Sequence, residues 1–255
     1  MIKFSANLGF LWPDRPLLER IAAAAKAGFR AVEMHWPYDV PPDEIAEVCK
    51  RHGLSLLSIN TAKGERSGDF GLAAVPGRED EFFTSFIQAL YYARGAQASA
   101  IHVMAGVCPD TLESETTFVA NLRTAADAAP EQMLLLEPIN PRDKPGYFFH
   151  QIERAAEIIA MVSRPNLRIM FDVYHVGVGQ GDVLTRLRRF SALIGHVQIA
   201  AVPSRAEPDE GEIDYRAVFA TLNELGYSGW IGCEYRPRSG TDDGLAWREK
   251  LVPKT

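Results

Sequence analysis

Apolar positions along this chain switch repeatedly between two spacings, and the switching predicts the fold. Short, mostly apolar runs at 2–8 (IKFSANL), 29–34 (FRAVEM) and 54–60 (LSLLSIN) read as strands. Between them, apolar residues recur three and four positions apart, the mark of a helix with one buried face. Leu17, Leu18, Ile21 and Ala25 form the first such stripe, with Asp14 as the expected cap, Pro16 in the first turn and Gly28 at the end. Ile45, Val48 and Cys49 form the second, within a helix over 42–52 that closes at Gly53. A long helix near 78–94 is expected to turn Phe82, Phe83, Phe86, Ile87 and Leu90 to the core, and one near 112–128 to do so with Leu112, Phe118 and Leu122.

The same phrase continues. Strands are predicted at ASAIHVMAG, LLLEP, LRIMFDV, GHVQIA and GWIGCEYR, separated by helices near 150–162 and 182–190, one capped by Asp214 and stopped by Gly226, and a short one near 242–250. Eight strands and eight helical segments, with no linker or composition shift, predict a single-domain (β/α)8 TIM barrel over residues 1–255. Two stretches break the rhythm. Residues 61–79 hold four glycines and charges of both signs without a period, and 203–213 are polar. Both follow strands, the barrel face where catalytic loops lie, so 61–79 reads either as a lid or as a solvated surface loop.

Composition narrows the classes. A length of 255 residues suits one such barrel, and 47% apolar content supplies its core. A net charge of −6 argues against a nucleic-acid partner. The chain contains no run of about 18 apolar residues, so no membrane span is expected. MIKFSANLGF reads as a strand rather than a signal peptide, and three widely spaced cysteines suit free thiols, which together give a cytoplasmic expectation. The partner expected is a small molecule, and the sequence leaves room for a homo-oligomer.

Four strand ends carry the chemistry. LLLEP ends in Glu137, RIMFDVYH holds Asp172, IGHVQIA holds Gln198 and WIGCEYRP holds Glu234. Polar groups at the ends of buried strands cost desolvation unless something compensates them. These lie 35, 26 and 36 residues apart, the interval of successive βα units. Three carboxylates and an amide oxygen, without thiolates, form a hard donor set suited to Mg2+ or Mn2+. Surplus carboxylate charge could also take and return a proton. The sequence therefore points to proton transfer on a small α-hydroxycarbonyl compound. Each residue also has a plainer reading: Asp172 as a cap, Gln198 as a satisfied core amide, the glutamates as ion-paired surface groups.

Around this set, His175 and His102 are candidates to contact substrate, each also readable as a hydrogen-bonded core histidine. His196 shares the parity of Gln198 and Glu33 ends strand two, so either could face inward. Arg66 and Arg205, on the two loops, could clamp a carboxylate or simply be solvated. Trp12, Trp36 and Tyr38 could supply an apolar wall.

With these residues in view, the chain resembles the hydroxypyruvate isomerase and 2-oxo-tetronate isomerase family among the xylose-isomerase-like barrels. GHVQIAAVPSRAEPDEGEIDYRAVF and LGYSGWIGCEYRPR carry the resemblance most strongly, supported by LLLEPIN, FDVYH, IHVMAG, PYD and GLAAVPGRE. The resemblance implies a divalent metal held by Glu137, Asp172, Gln198 and Glu234, with Glu137 and Glu234 as the acid/base pair. It implies substrate contacts at His175 and Arg205. Related ketose 3-epimerases commonly carry His where this chain has Gln198, which favours the hydroxypyruvate-type branch. TAKGERSGDFG matches the branch's usual segment more loosely, which leaves Arg66 and the substrate's identity open. The function expected is isomerisation of a small 2-oxo acid through an enediolate. A ketose 3-epimerase is the alternative, with an endonuclease-like barrel or a non-catalytic sugar-binding barrel further behind.

Overall fold

A computed structural model describes residues 2–252, and its sheet order shows how the barrel closes. The strands are β1 (Phe4–Asn7), β2 (Ala31–Glu33), β3 (Ser55–Leu56), β4 (Ser58–Asn60), β5 (Ala100–His102), β6 (Met133–Leu136), β7 (Leu167–Asp172), β8 (Ile194–Ile199) and β9 (Ile231–Cys233). They run parallel in the order β3-β2-β1-β9-β8-β7-β6-β5-β4. β3 and β4 are two halves of one strand interrupted at Leu57, so the two ends of this order meet. Leu57 bonds both ways: its N–H donates to Val32 O at 2.8 Å and its carbonyl accepts from Ala100 N at 2.8 Å. Eight strand positions thus form the ring the sequence predicts.

The helices are α1 (Leu17–Lys26), α2 (Pro42–His52), α3 (Glu79–Ala96), α4 (Leu112–Ala128), α5 (Ile152–Val162), α6 (Val173–Gly179), α7 (Val183–Phe190), α8 (Tyr215–Glu224), α9 (Thr241–Gly244) and α10 (Trp247–Leu251). Glycines end α1 and α2 as expected: Gly28 and Gly53 have φ of 85° and 63°, a conformation that costs other residues energy. Asp214 caps α8 by accepting from the N–H groups of Arg216 and Ala217. Asn7, Glu33, Asn60, His102, Glu137, Asp172 and Glu234 all fall at or just past strand C-termini. One end of the barrel therefore gathers these seven buried polar side chains.

Several expectations need correction. Asp14 does not cap α1; Pro16 holds that position and no side chain bonds there. Phe83 and Ile87 face solvent, at 37% and 42% exposure, because the buried face of α3 runs through Phe82, Phe86, Ala89, Leu90 and Ala93. Leu112 is 77% exposed; it is the first residue of α4, whose buried face starts at Ser114. Helix α6 was not anticipated. It begins directly on Asp172, whose Oδ1 accepts from Tyr174 N at 2.8 Å, so β7 passes into a helix without a loop. The short C-terminal helix is two pieces, α9 and α10, and no helix among the described residues is long and apolar enough to cross a membrane.

Candidate active site

A cavity of about 430 Å³ opens at the C-terminal end of the strands. Glu137, Gln198 and Glu234 line it, together with Asn7, Glu33, His35, Asn60, His102, His175 and Arg205. Asp172 is not part of the cavity wall, yet its Oδ2 lies 3.6 Å from His175 Nε2, which is 3.7 Å from Glu137 Oε1. An oxygen of Glu137, an oxygen of Asp172 and a ring nitrogen of His175 all fall within 4.8 Å of one another. The four strand-end residues are 2–6% exposed.

Their hydrogen bonding is unequal. Glu234 is compensated: Asn7 Nδ2 donates to Oε2 at 2.8 Å, Gln198 Nε2 donates to the same oxygen at 2.5 Å, and Arg205 donates to Oε1 at 2.8 Å. Glu137 Oε1, Asp172 Oδ2 and Gln198 Oε1 are buried oxygens with no hydrogen-bond partner among the described residues. Unpartnered acceptors at that depth are costly unless a ligand satisfies them. Their charge states follow. Burial, then the charges of Glu234 and Asp172, raises Glu137 well above the usual carboxylate range. Burial and Glu234 raise Asp172 as well. Two buried acids that resist ionising beside one another favour a cation between them.

His175 is oriented by its neighbours. The backbone N–H of Asn140 donates to Nδ1 at 3.3 Å and the Asn140 side-chain amide lies 2.6 Å from the same atom. The lone pair on Nδ1 is thus engaged, while Nε2 faces the carboxylates and also lies 3.4 Å from Arg205 Nη2, which can only donate, so both ring nitrogens meet donors. Burial first, then the Arg205 charge, lowers the His175 pKa well below the ordinary imidazole value and keeps the ring neutral. His102 is likewise buried; burial and nearby His35 lower it to about 3, and its Nε2 has no partner.

Arg205 sits in a pinned loop. Its N–H donates to Ala201 O at 2.7 Å, its carbonyl accepts from Arg236 N at 2.7 Å, and its φ is 56°. The terminal nitrogens of the guanidinium bond Glu234 and Asp143 Oδ2, the latter at 2.9 Å, its buried Nε finds no partner among the described residues, and the group rests 4.8 Å and 4.9 Å from the Phe10 and Tyr174 ring centroids. Glu33 bonds to Ser5, His196 and Gln198 Nε2. Burial pushes Glu33 up, but the His196 charge and the bonds from His196, Gln198 and Ser5 outweigh it and leave its pKa lowered. Glu33 therefore braces Gln198, orienting the amide so that its oxygen stays free. His196 serves Glu33 and does not line the cavity.

The structure leaves Arg66 outside the cavity. Its side chain is 66% exposed and donates to Glu81 at 2.6 Å. Trp36 lines the cavity, whereas Trp12 is buried in the core and Tyr38 bonds the Asn60 carbonyl below the loops. Asn7 and His35 enter the site although the sequence did not single them out as site residues; Asn7 could have been found by the strand-end rule that found Glu137. Lys63, Phe70, Asp143 and Lys144 come from loops with no period to announce them.

The chain matches the family model of the xylose isomerase-like TIM barrel over residues 21–251. It is 45% identical to a 2-oxo-tetronate isomerase of Cupriavidus necator, covering 97% of each chain. It is 41% identical to a putative hydroxypyruvate isomerase of Homo sapiens, covering 96% of this chain and 94% of that one. Among solved structures, one titled AP endonuclease, family 2, from Brucella melitensis superposes with a TM-score of 0.95 at 40% identity, covering 98% and 99%. A 3-keto-D-glucoside 4-epimerase of E. coli shares the fold, with a TM-score of 0.81 at 22% identity, covering 98% and 100%. A barrel closed through a split third strand, with its polar residues gathered at the strand C-termini, accords with these matches: the chain belongs to the xylose isomerase-like TIM barrel family.

Proposed function

We propose that this protein isomerises a small 2-oxo acid, hydroxypyruvate to tartronate semialdehyde or a 2-oxo-tetronate, by moving a proton between adjacent carbons. The observation that carries the reading is the three unpartnered buried oxygens of Glu137, Asp172 and Gln198 beside the compensated carboxylate of Glu234. The names of the relatives at 41–45% identity support the substrate class.

The three free oxygens suit a hard divalent cation, Mg2+ or Mn2+, with Glu234 as a fourth donor once it exchanges a hydrogen bond. Such a cation would hold the substrate's carbonyl and hydroxyl oxygens and offset charge growing on them. The remaining work belongs to the chain. Glu137 and Glu234 form the pair that takes a proton from C3 and returns one to C2. Arg205, anchored by Asp143, and Gln198, braced by Glu33, hold Glu234 in place. His175 and His102, both buried, flank Glu137 at 3.7 and 3.6 Å and are placed to contact substrate oxygen.

Incubation of the metal-loaded protein in deuterium oxide with hydroxypyruvate, a 2-oxo-tetronate and a neutral ketohexose tests this directly. Label beside the carbonyl of an acid, absent in Glu234→Gln, is the expected result. Label in the ketose alone would move the protein to the ketose 3-epimerases. No label in any would remove the isomerase reading. A repair endonuclease must seat a phosphate backbone, which a recess of about 430 Å³ lined by carboxylates does not suit.

A further inference from the structure

The cations that the sequence offered for a substrate carboxylate already carry acidic partners. Arg66 lies outside the cavity on Glu81, and Arg205 is shared between Glu234 and Asp143. Two other cations line the same cavity. Lys63, from the loop after β4, holds its Nζ 3.8 Å above the Trp36 ring and 6.0 Å from Phe70. Lys144, from the loop after β6, holds its Nζ 4.1 Å above Phe70. The two ammoniums thus meet around one aromatic corner, where Trp36 and Phe70 pack edge to face at 5.9 Å. Among the described residues, no carboxylate pairs with either of them; Asp143, next in sequence to Lys144, is occupied by Arg205 and Tyr174. Ring faces hold a cation weakly at exposed sites, so both remain able to accept an anion.

Their backbones are fixed. Lys63 O accepts from Gly71 N at 2.7 Å, while Lys144 N donates to Asn140 O at 3.1 Å and Lys144 O accepts from Tyr147 N at 3.2 Å. Asn140 is also the residue that orients His175. The cavity is accordingly polarised. Its floor carries Glu137 and Glu234, both buried, and its mouth carries exposed Lys63 and half-buried Lys144. A 2-oxo acid has the same polarity: reacting carbons at one end and a carboxylate at the other. With C2 and C3 between the two glutamates, the carboxylate is directed away from the floor.

We infer that Lys63 and Lys144 form the subsite that takes the substrate carboxylate, an assignment that rests on the acid-isomerase function proposed above. The pair selects acids over neutral α-hydroxyketones, and the span from floor to mouth sets the chain length that fits. Lys63 and Lys144 are positioning residues; they touch the carboxylate, not the reacting carbons.

The test is calorimetric titration of the metal-loaded full chain with hydroxypyruvate and with dihydroxyacetone, which replaces the carboxylate by a hydroxymethyl group. Lys63→Met and Lys144→Met should each weaken hydroxypyruvate about ten-fold, and the double variant about a hundred-fold, the range for a charge-assisted hydrogen bond. Dihydroxyacetone should change about two-fold or less, and Lys63→Arg should recover most of the acid affinity. In turnover, the loss should appear in KM rather than kcat. Unchanged hydroxypyruvate affinity in both methionine variants overturns the assignment. So does an equal loss for dihydroxyacetone, or a larger loss in Arg236→Met, the remaining cavity-lining cation. If the wild type binds hydroxypyruvate through the lysines but incorporates no deuterium, the subsite stands and the isomerase reading falls. If it binds no hydroxypyruvate, both fall.

Discussion

Two clusters of charge lie on the same face of this barrel and have opposite character. In the loop between β4 and α3, Arg78 forks onto Asp69 at 2.5 and 2.9 Å and onto Glu81 at 2.6 Å, while Arg66 closes the group by donating to Glu81. Each carboxylate there has a cation, and the pKa values of Asp69 and Glu81 are lowered, with the Arg78 hydrogen bonds as the leading cause. In the barrel mouth, acids outnumber the cation that serves them, three oxygens have no partner, and Glu137 and Asp172 are raised. The loop cluster satisfies itself and so holds structure together. The mouth cluster is incomplete and so is ready for a ligand. Charge density alone does not distinguish them; the accounting of partners does.

The comparison can be broken in four places, in decreasing order of expected effect. Glu137→Gln or Glu234→Gln should reduce deuterium exchange by about a thousand-fold, within the range for loss of a general acid or base. Circular dichroism should show the fold intact, because each substitution removes charge from a crowded anionic site. Next, Mg2+ or Mn2+ at about a hundred times its dissociation constant should stabilise the wild type by about 2.7 kcal/mol. Scanning calorimetry would register this as a rise in Tm that is lost in Asp172→Asn. An equal rise in that variant would mean that the orphaned oxygens hold no ion.

Arg78→Ala attacks the other cluster. Arg78 is 7% exposed and Asp69 13%, but Glu81 is 42% exposed, so the loss belongs between surface and buried pairs, about 2 kcal/mol in denaturant unfolding. Its kcat should stay within a few-fold of wild type. The smallest effect concerns pH. Asp69 is lowered in the folded state, so its contribution is present above its unfolded value of about 4 and is lost as pH falls through the folded value. Stability should therefore fall as pH drops below about 4 by more in wild type than in Asp69→Asn. Parallel curves would show that the clamp is idle.

The barrel and the four strand-end residues were legible because both follow from period. A strand that alternates with a helix announces its end, and a carboxylate there must be explained. Glycines at 28 and 53 marked helix ends for the same local reason. What escaped was non-periodic or two-faced. Val173–Gly179, with glycines at 177 and 179, does not read as a helix; it forms one because Asp172 caps it. Phe83 and Ile87 are spaced as a helix stripe, but it is not the stripe that packs. Lys63 and Lys144 lie in loops where only the folded backbone decides what points inward, and Arg66, the more obvious cation, was claimed by Glu81 fifteen residues along.

The hydrogen bond from Asn7 to Glu234 joins residues 227 positions apart. It ties together two strands far apart in sequence, since β1 pairs with β9. A nascent chain can therefore build most of its ring and still lack a working centre. Translation has to pass β9 before the ring can close, and a chain cut short before residue 231 leaves an open sheet edge instead of a weaker catalyst.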